Sequence, residues 1–170
     1  MKGPAKGNLM TKRCIAVIGS GTATEEESRN ALEVGREIAR RGAVLVCGGL
    51  TGVMEAAAKG AKEMGGLTLG IIPGEDPSSA NPYIDIVIPS GLGIARNVLV
   101  VSSGQAVIAV GGKLGTLSEI AIAFVIKRPV VGLGTWQIEK ARSGGNEIIF
   151  ARDAKEAVEK ALEVIEGKSA

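Results

Sequence analysis

Short apolar runs alternate along the chain with longer segments in which apolar residues recur every three or four positions. The runs predict buried strands, and the helical spacing predicts amphipathic helices. The predicted strands cover 14–18, 43–47, 67–72, 84–88, 106–110, 130–133 and 147–151. The predicted helices cover 24–41, 53–64, 94–103 and 116–126, and a last helix begins after Asp153. Strands and helices therefore alternate throughout.

The strand runs are apolar on both faces, as in Ala106–Val110, instead of alternating between apolar and polar residues. Strands of this kind, separated by helices, are typical of a parallel sheet that helices cover on both sides. We therefore expect one α/β domain over residues 13–166, with a Rossmann-like, doubly wound and mainly parallel sheet. Residues 1–12 and 167–170 are expected to be flexible tails.

Two predicted helices are apolar on every side. They contain Ile120–Ile126 and Val98–Val101. One sheet covers only one side of a helix, so the remaining apolar surface needs another cover. We expect a second copy of the chain to supply it, in a homodimer or homotetramer; the alternative is a compact monomer.

Composition narrows the function classes. The chain has 170 residues, 45% of them apolar and 2% aromatic, and a net charge of +2. The apolar fraction is typical of a globular protein. The near-neutral charge and the few aromatic residues provide neither a basic surface nor stacking side chains for nucleic acid. No segment approaches the roughly 18 apolar residues of a membrane span, and no signal-peptide core follows the basic N-terminal residues. We expect a cytoplasmic protein with no nucleic-acid or membrane partner.

The chain contains no histidine and two cysteines. The lack of histidine excludes Ser-His-Asp and Cys-His chemistry and most zinc sites, and we expect no metal site. Any acid–base step falls to carboxylate, Lys, Tyr or Cys side chains. Cys14 and Cys47 lie in apolar runs, which predicts reduced core residues.

Two glycine-rich turns join apolar strands to predicted helices. A glycine turn lets the backbone approach an anion closely, and the helix start adds unpaired N–H groups and the positive end of the dipole. Two such turns in one small domain predict a ligand that carries phosphate. The residues concerned are Gly48, Gly49, Thr51 and Gly52 in the first turn, and Gly111, Gly112, Gly115 and Thr116 in the second.

A third turn begins with Gly19 and Ser20. It starts like the dinucleotide-binding fingerprint but lacks the third glycine, and no acid that could hold a ribose follows the second strand. NAD is therefore not expected. Gly19 and Ser20 either line the ligand pocket or form an ordinary turn between strand and helix.

Three predicted helix starts carry the pattern of a capping box, in which Ser, Thr or Asp is followed three residues later by Glu. They are Thr24–Glu27, Thr116–Glu119 and Asp153–Glu156. At the second, two interpretations stay open. Glu119 either caps its helix or is a catalytic carboxylate that orients a water or stabilises a cationic, sugar-like transition state.

Arg96 falls in the first turn of the predicted helix 94–103, where a cation opposes the helix dipole. The position is favourable if an anion binds there, because guanidinium matches phosphate with two hydrogen bonds. The alternative is a solvated surface arginine. Neighbouring Asn97 either binds the ligand or serves the backbone.

In combination, these motifs resemble the Lonely Guy (LOG) superfamily, whose members are often described as "possible lysine decarboxylase". The resemblance covers residues 13–135 and rests on Gly48–Met54, on Gly65–Gly66 with Gly70–Pro73, and on Gly115–Glu119. Through the last motif and Gly91–Asn97, the chain most resembles the subgroup that includes molybdenum cofactor carrier proteins.

The resemblance implies two functions. LOG enzymes are Rossmann-like dimers that hydrolyse the N-glycosidic bond of nucleoside 5′-monophosphates; their key arginine and glutamate correspond to Arg96 and Glu119. Their phosphate-binding Gly-Thr corresponds to Gly115–Thr116. The carrier proteins share the fold and bind the pterin cofactor through its phosphate. This chain departs from the enzymes' Pro-Gly-Gly-x-Gly-Thr motif, with Gly111 for the proline and Lys113 for the second glycine.

We therefore expect binding of a small phosphorylated ligand that is nucleotide-like or pterin-like, with molybdenum cofactor as a carried ligand and no cofactor required. The alternative is a LOG-type phosphoribohydrolase that releases base and ribose 5-phosphate, with Arg96 and Glu119 as catalytic residues. Lysine decarboxylation has no support, because no lysine lies in a recognisable pyridoxal-phosphate setting.

Overall fold

A computed structural model describes residues 12–139 and 146–167. Its strands are β1 (Cys14–Gly19), β2 (Val44–Cys47), β3 (Thr68–Ile72), β4 (Ile86–Pro89), β5 (Ala106–Val110), β6 (Val130–Leu133) and β7 (Ile148–Phe150). Its helices are α1 (Glu25–Arg40), α2 (Val53–Glu63), α3 (Asn97–Ser103), α4 (Leu114–Val125) and α5 (Ala154–Ile165). The predicted tails fall almost entirely outside the described residues, so their flexibility stays a prediction.

The strands form one parallel sheet in the order β4-β3-β2-β1-β5-β6-β7. The chain builds outward from β1 to β4, then crosses to the other side of β1 to begin again with β5. This confirms the predicted Rossmann-like, doubly wound α/β fold. The loops that leave β1 and β5 turn to opposite faces, and a crevice opens between them at the carboxyl edge of the sheet.

Both faces of the central strands of the sheet are buried, whereas the edge strand β4 is largely exposed. Ile15, Val17 and Ile108 pack on one side into a cluster that includes residues of α1, α2 and α5. Ala16 and Ile18, which alternate with them along β1, pack on the other side with residues of α3 and α4. Apolar residues at successive positions thus serve opposite faces, which explains why the runs do not alternate with polar residues.

Several element boundaries near the carboxyl edge of the sheet differ from the sequence prediction. The predicted helix 94–103 is a short 3-10 segment at Gly93–Arg96 followed by α3. The predicted helix 116–126 begins two residues earlier, at Leu114. The predicted strand 84–88 lies at Ile86–Pro89. Local propensity leaves helix starts undetermined where glycine turns precede them, and tertiary packing fixes them.

The capping predictions have different outcomes. The box at Thr24–Glu27 is confirmed, with both reciprocal hydrogen bonds present. At Asp153 only half of a box forms: Asp153 accepts from the Glu156 N–H, but the Glu156 carboxylate accepts from the Arg152 N–H instead of the N-cap.

The apolar surface of α3 and α4 is only partly covered within the chain. Ile120 and Ala123 are fully buried, whereas Val98 is 44% and Val125 is 82% exposed. Exposure at these positions is what an oligomer contact would remove, but the assembly itself stays a prediction. No helix in the described ranges combines the length and apolar character that crossing a membrane requires.

Candidate functional site

A cavity of about 210 Å³ opens at the carboxyl edge of the sheet, between the ends of β1 and β2 and the starts of α3 and α4. This is the switch point of the topology, where doubly wound sheets bind ligands. The cavity is lined by Val17, Ile18, Gly19, Ser20, Gly21, Gly48, Met54, Arg96, Asn97, Lys113, Gly115, Thr116 and Glu119. Eight of the residues predicted from the sequence therefore meet in one place: Gly19, Ser20, Gly48, Arg96, Asn97, Gly115, Thr116 and Glu119.

Arg96 and Glu119 form a buried pair in this cavity. Arg96 is 8% exposed and Glu119 is 6% exposed, and Arg96 Nη1 lies 3.9 Å from Glu119 Oε1. Arg96 Nη1 also donates to Asn97 Oδ1, and its Nη2 donates to the Gly48 carbonyl at 3.3 Å. Arg96 Nε has no hydrogen-bond partner in residues 12–139 and 146–167. The alternative of a solvated surface arginine is therefore wrong.

The position of Arg96 also differs from the expected one. Arg96 is the last residue of the 3-10 segment and the N-cap residue of α3, not a first-turn residue of a longer helix. A cation at the N-cap still faces the positive end of the α3 dipole, but α3 is a helix of seven residues and not the longer one predicted. The buried Nε donor of Arg96 is the stronger indication of an anion, because a buried polar group is costly when it lacks a hydrogen-bond partner.

Glu119 lies in the second turn of α4, and its carboxyl is removed from water. Burial raises the pKa of Glu119 to about 7, and the positive charge of Arg96 opposes that rise. A carboxyl with a pKa near neutrality exchanges a proton readily at physiological pH, which is the property of a general acid or base. The capping interpretation is wrong, because the N-cap of α4 is Lys113 and no side chain caps it.

The start of α4 presents donors to the cavity. No side chain caps α4, and no acidic residue lies in its first turn. Thr116 is 2% exposed, and its hydroxyl has no hydrogen-bond partner in the part of the chain that the structure describes. Buried hydroxyls are normally paired, and a helix start attracts anions. Thr116 and the uncapped helix start together make a donor set for an anion.

Five lining residues were not among the predicted site residues: Lys113, Gly21, Met54 and Val17–Ile18. Lys113 adds a second cation to the cavity, and its Nζ donates to Thr22 Oγ1 at 2.8 Å. The sequence left the role of Lys113 open. Met54 appears in the sequence only as the last residue of the Gly48–Met54 motif, and nothing in its spacing distinguishes a lining residue from a core residue.

Three predicted residues of the β2–α2 turn shape the turn and are not among the lining residues. The Gly49 N–H donates to Cys47 Sγ at 3.4 Å. Thr51 Oγ1 donates to the Gly21 carbonyl at 2.9 Å, which ties this turn to the turn after β1. Gly52 is the N-cap of α2 and has a φ of 68°, a conformation that favours glycine.

The two glycines after β5 also serve internal contacts. The Gly111 N–H donates to the Leu133 carbonyl at 3.0 Å, and the Gly112 N–H donates to Glu27 Oε1 at 3.0 Å. Neither N–H group is left over for a ligand in this structure.

Cys14 and Cys47 are both free thiols. Cys47 is buried behind the cavity, and burial raises the pKa of its thiol to about 11. A thiol with so high a pKa is a weak nucleophile at neutral pH. Cys47 therefore acts as a core residue, as predicted.

A doubly wound parallel sheet with a charged cavity at its switch point defines a Rossmann-like α/β protein. Residues 12–161 match the model of the SLOG cluster4 family, and the chain belongs to that family. The membership agrees with the resemblance to the LOG-like superfamily found in the sequence.

Individual relatives agree with this assignment. An uncharacterized protein of Archaeoglobus fulgidus is 50% identical over 119 residues, which are 70% of this chain and 78% of that protein. The molybdenum cofactor binding protein of Rippkaea orientalis has a similar structure, with a TM-score of 0.86, 38% identity and coverage of 92% of this chain and 99% of that one. For the Moco carrier protein of Chlamydomonas reinhardtii the TM-score is 0.82, with 37% identity over 94% of this chain and 100% of that one.

Proposed function

We propose that this protein binds a small phosphorylated ligand, pterin-like or nucleotide-like, at the carboxyl edge of its sheet. The phosphate lies between Arg96 and the start of α4. One observation carries the proposal: two residues that line the same cavity, Arg96 and Thr116, each have a buried donor, Nε and Oγ1, with no hydrogen-bond partner among the described residues. Buried donors of this kind are rarely left unpaired, and phosphate supplies acceptor oxygens of the kind that each of them lacks.

Charge supports an anion over a neutral ligand. Arg96 and Lys113 both line the cavity, and Glu119 is the acidic residue among the lining residues. Because the pKa of Glu119 is raised to about 7, a large fraction of its carboxyl is protonated at neutral pH. The cavity then carries a net positive charge that favours phosphate.

Cavity size suggests how much of the ligand is enclosed. At about 210 Å³, the cavity is smaller than the roughly 300–1,000 Å³ of sites that bury a whole drug-sized ligand. It accommodates a phosphate and the group next to it. The ring system of a pterin or a base would extend outward along the carboxyl edge.

Molybdenum cofactor is the leading candidate for the ligand. The similar structures from Rippkaea orientalis and Chlamydomonas reinhardtii are named as a molybdenum cofactor binding protein and a Moco carrier protein. The donor set here fits the phosphate of such a pterin. In this role the cofactor is cargo, and the residues of the chain bind and shield it without changing it.

A second function is favoured by the Arg96–Glu119 pair. In a phosphoribohydrolase, Glu119 would orient a water or stabilise the positive charge that develops on the ribose, and Arg96 would hold the substrate. The raised pKa of Glu119 and its distance of 3.9 Å from Arg96 are compatible with this chemistry. Release of free base from a nucleoside 5′-monophosphate separates the two functions.

We also propose that a second copy of the chain covers the exposed apolar residues of α3 and α4. The support comes from three exposed apolar side chains on these two helices, Val98, Leu99 and Val125. Several large apolar side chains exposed on adjacent helices are typical of an interface.

The test uses Arg96→Met with Arg29→Met as a matched control, since Arg29 lies on the surface of α1 with 71% of its side chain exposed. Binding of molybdopterin and of AMP is measured by calorimetry, and free base is assayed after incubation with AMP. We expect Arg96→Met to weaken binding by roughly a hundredfold, because truncating a buried charged partner costs several kcal/mol. Arg29→Met should bind like the wild type. A wild type that binds neither compound contradicts the proposal.

A further inference from the structure

The loop Gly111–Lys113, between β5 and α4, is held at every residue by a contact from elsewhere in the chain. Thr135 Oγ1 donates to the Gly111 carbonyl at 2.5 Å, and Trp136 Nε1 donates to the Lys113 carbonyl at 3.3 Å. These bonds hold the loop from the side of β6. Between them, the Gly112 N–H donates to Glu27 on α1.

The Glu27 carboxylate joins two backbone segments. Its Oε2 accepts from the Thr24 N–H at 2.8 Å, which completes the capping box of α1, and its Oε1 accepts from the Gly112 N–H at 3.0 Å. The hydrogen bond from Thr24 is the largest cause that lowers the pKa of Glu27, and Gly112 and the charge of Lys113 lower it further. Glu27 is therefore ionised at neutral pH and accepts at both oxygens.

The loop needs such a restraint because of its own backbone. Gly111 has a φ of 52° and Gly112 a φ of 109°, both in the region that favours glycine. Glycines reach this region easily and leave it as easily, so the loop conformation is not fixed by its own residues. The direction in which Lys113 and the first turn of α4 point depends on that conformation.

We propose that Glu27 is a positioning residue for the phosphate site: it holds the Gly111–Lys113 loop so that Lys113 and the start of α4 face the cavity. Glu27 is not among the lining residues, and it acts through Gly112. This inference rests on the proposed function for its effect on affinity. Its effect on the loop stands independently and is measured separately.

Two effects of the Glu27 carboxylate, repulsion of an anion and positioning of the loop, predict opposite changes in phosphate affinity for Glu27→Ala. A carboxylate near the site repels an anion, so on charge alone Glu27→Ala should bind phosphate more tightly. If Glu27 positions the loop, Glu27→Ala should bind more weakly, because part of the binding free energy then goes into ordering the loop. Because Glu27 accepts a hydrogen bond from Gly112, we expect weaker binding. Whether the affinity falls or rises decides between the two roles.

The matched control is Thr24→Val. This substitution removes the other half of the capping box, in which the Glu27 N–H donates to Thr24 Oγ1 at 3.2 Å, and leaves the Glu27–Gly112 bond in place. Both variants destabilise the start of α1. Of the two, only Glu27→Ala removes the hydrogen bond that holds the loop at Gly112.

Two measurements are made on the full chain: calorimetric titration with ribose 5-phosphate, and amide hydrogen exchange at Gly112 by NMR. We expect Glu27→Ala to bind about tenfold more weakly, since a hydrogen bond to a charged group contributes at about this level. Glu27→Gln, whose amide oxygen accepts one of the two bonds, should fall between it and the wild type. Thr24→Val should bind within about twofold of the wild type.

Each result has a defined meaning. Unchanged or tighter binding by Glu27→Ala, or equal weakening by Thr24→Val, overturns the positioning role. If the wild type does not bind ribose 5-phosphate, the proposed function fails on that probe, and exchange at Gly112 decides the inference alone. Faster exchange in Glu27→Ala but not in Thr24→Val supports it, and equal exchange in the wild type and Glu27→Ala overturns it.

Discussion

Two segments of this chain have the same local pattern and opposite roles. Thr24–Glu27 and Thr116–Glu119 each place Glu three residues after Thr at the start of a helix. In the first, Thr24 is the N-cap of α1 and both reciprocal hydrogen bonds form. In the second, the N-cap of α4 is Lys113, so Thr116 is already helical and Glu119 lies in the second turn.

The environments of the two carboxylates differ accordingly. Glu27 lies near the surface, accepts hydrogen bonds from two backbone N–H groups and has a lowered pKa. Glu119 is buried, accepts no such bond from its helix start and has a pKa raised to about 7. The capping pattern predicts a cap only where the helix begins at the Thr. In α4 the helix begins before the Thr, so the same two residue types lie within the helix and are buried.

The largest expected effect is the pH dependence of stability. Because the pKa of Glu119 rises from 4.5 to about 7 on folding, the folded state binds this proton more tightly than the unfolded state. The contribution of Glu119 is fully present below pH 4.5 and is lost as the pH rises through 7. A shift of this size corresponds to a loss on the order of 3 kcal/mol.

Glu119→Gln should remove this dependence, because glutamine does not titrate. Urea unfolding between pH 5 and pH 8 measures it, and the lack of histidine keeps the ordinary titration of that side chain out of the range. Glu27→Gln is the control: the pKa of Glu27 is lowered, so its contribution is lost only at acid pH and the wild-type slope should persist. A Glu119→Gln variant with the wild-type slope would mean that Glu119 is not the buried titrating group.

Features that depend on residues close together in the sequence could be predicted, and features that depend on distant residues could not. The alternation of strands and helices and the parallel sheet come from periodicity over short windows, and the structure confirms them. Burial is confirmed for the central strands, whereas the edge strand β4 is largely exposed. Arg96 and Glu119 were predicted from their places near helix starts and from the family resemblance, and the parallel sheet brings the loops that carry them to one edge. The bond between Glu27 and Gly112 spans 85 positions and has no local pattern, so sequence reasoning assigned Glu27 to capping alone.

An intermediate effect is expected at Gly48, where an added methyl group would reach the Arg96–Glu119 pair. A Cβ there would lie 2.6 Å from Arg96 Nη2 and 2.6 Å from Met54 Sδ, so Gly48→Ala must displace both side-chain ends. Because these ends are flexible, we expect little loss of stability but about tenfold weaker binding of ribose 5-phosphate. Calorimetric titration measures the affinity.

Gly74→Ala is the matched control for Gly48→Ala. Gly74 has nothing within 4 Å of an added Cβ, so its variant should bind like the wild type. Wild-type affinity in Gly48→Ala would show that the observed position of Arg96 is not needed for phosphate binding, and the site would then depend on α4 and Lys113 alone.

The smallest effect compares the two threonines directly. Thr24→Val removes a cap and should lower the free energy of unfolding by about 1 kcal/mol. Thr116→Val removes a buried hydroxyl that has no partner, so stability should be unchanged or higher by up to about 1 kcal/mol. Urea unfolding at constant pH gives both values. If Thr116→Val costs as much as Thr24→Val, the Thr116 hydroxyl has a partner inside the protein and is not reserved for a ligand. If Thr24→Val lowers the free energy of unfolding and Thr116→Val raises it, the Thr116 hydroxyl reduces the stability of the protein. Weaker binding of ribose 5-phosphate by Thr116→Val would then show that this hydroxyl serves the ligand.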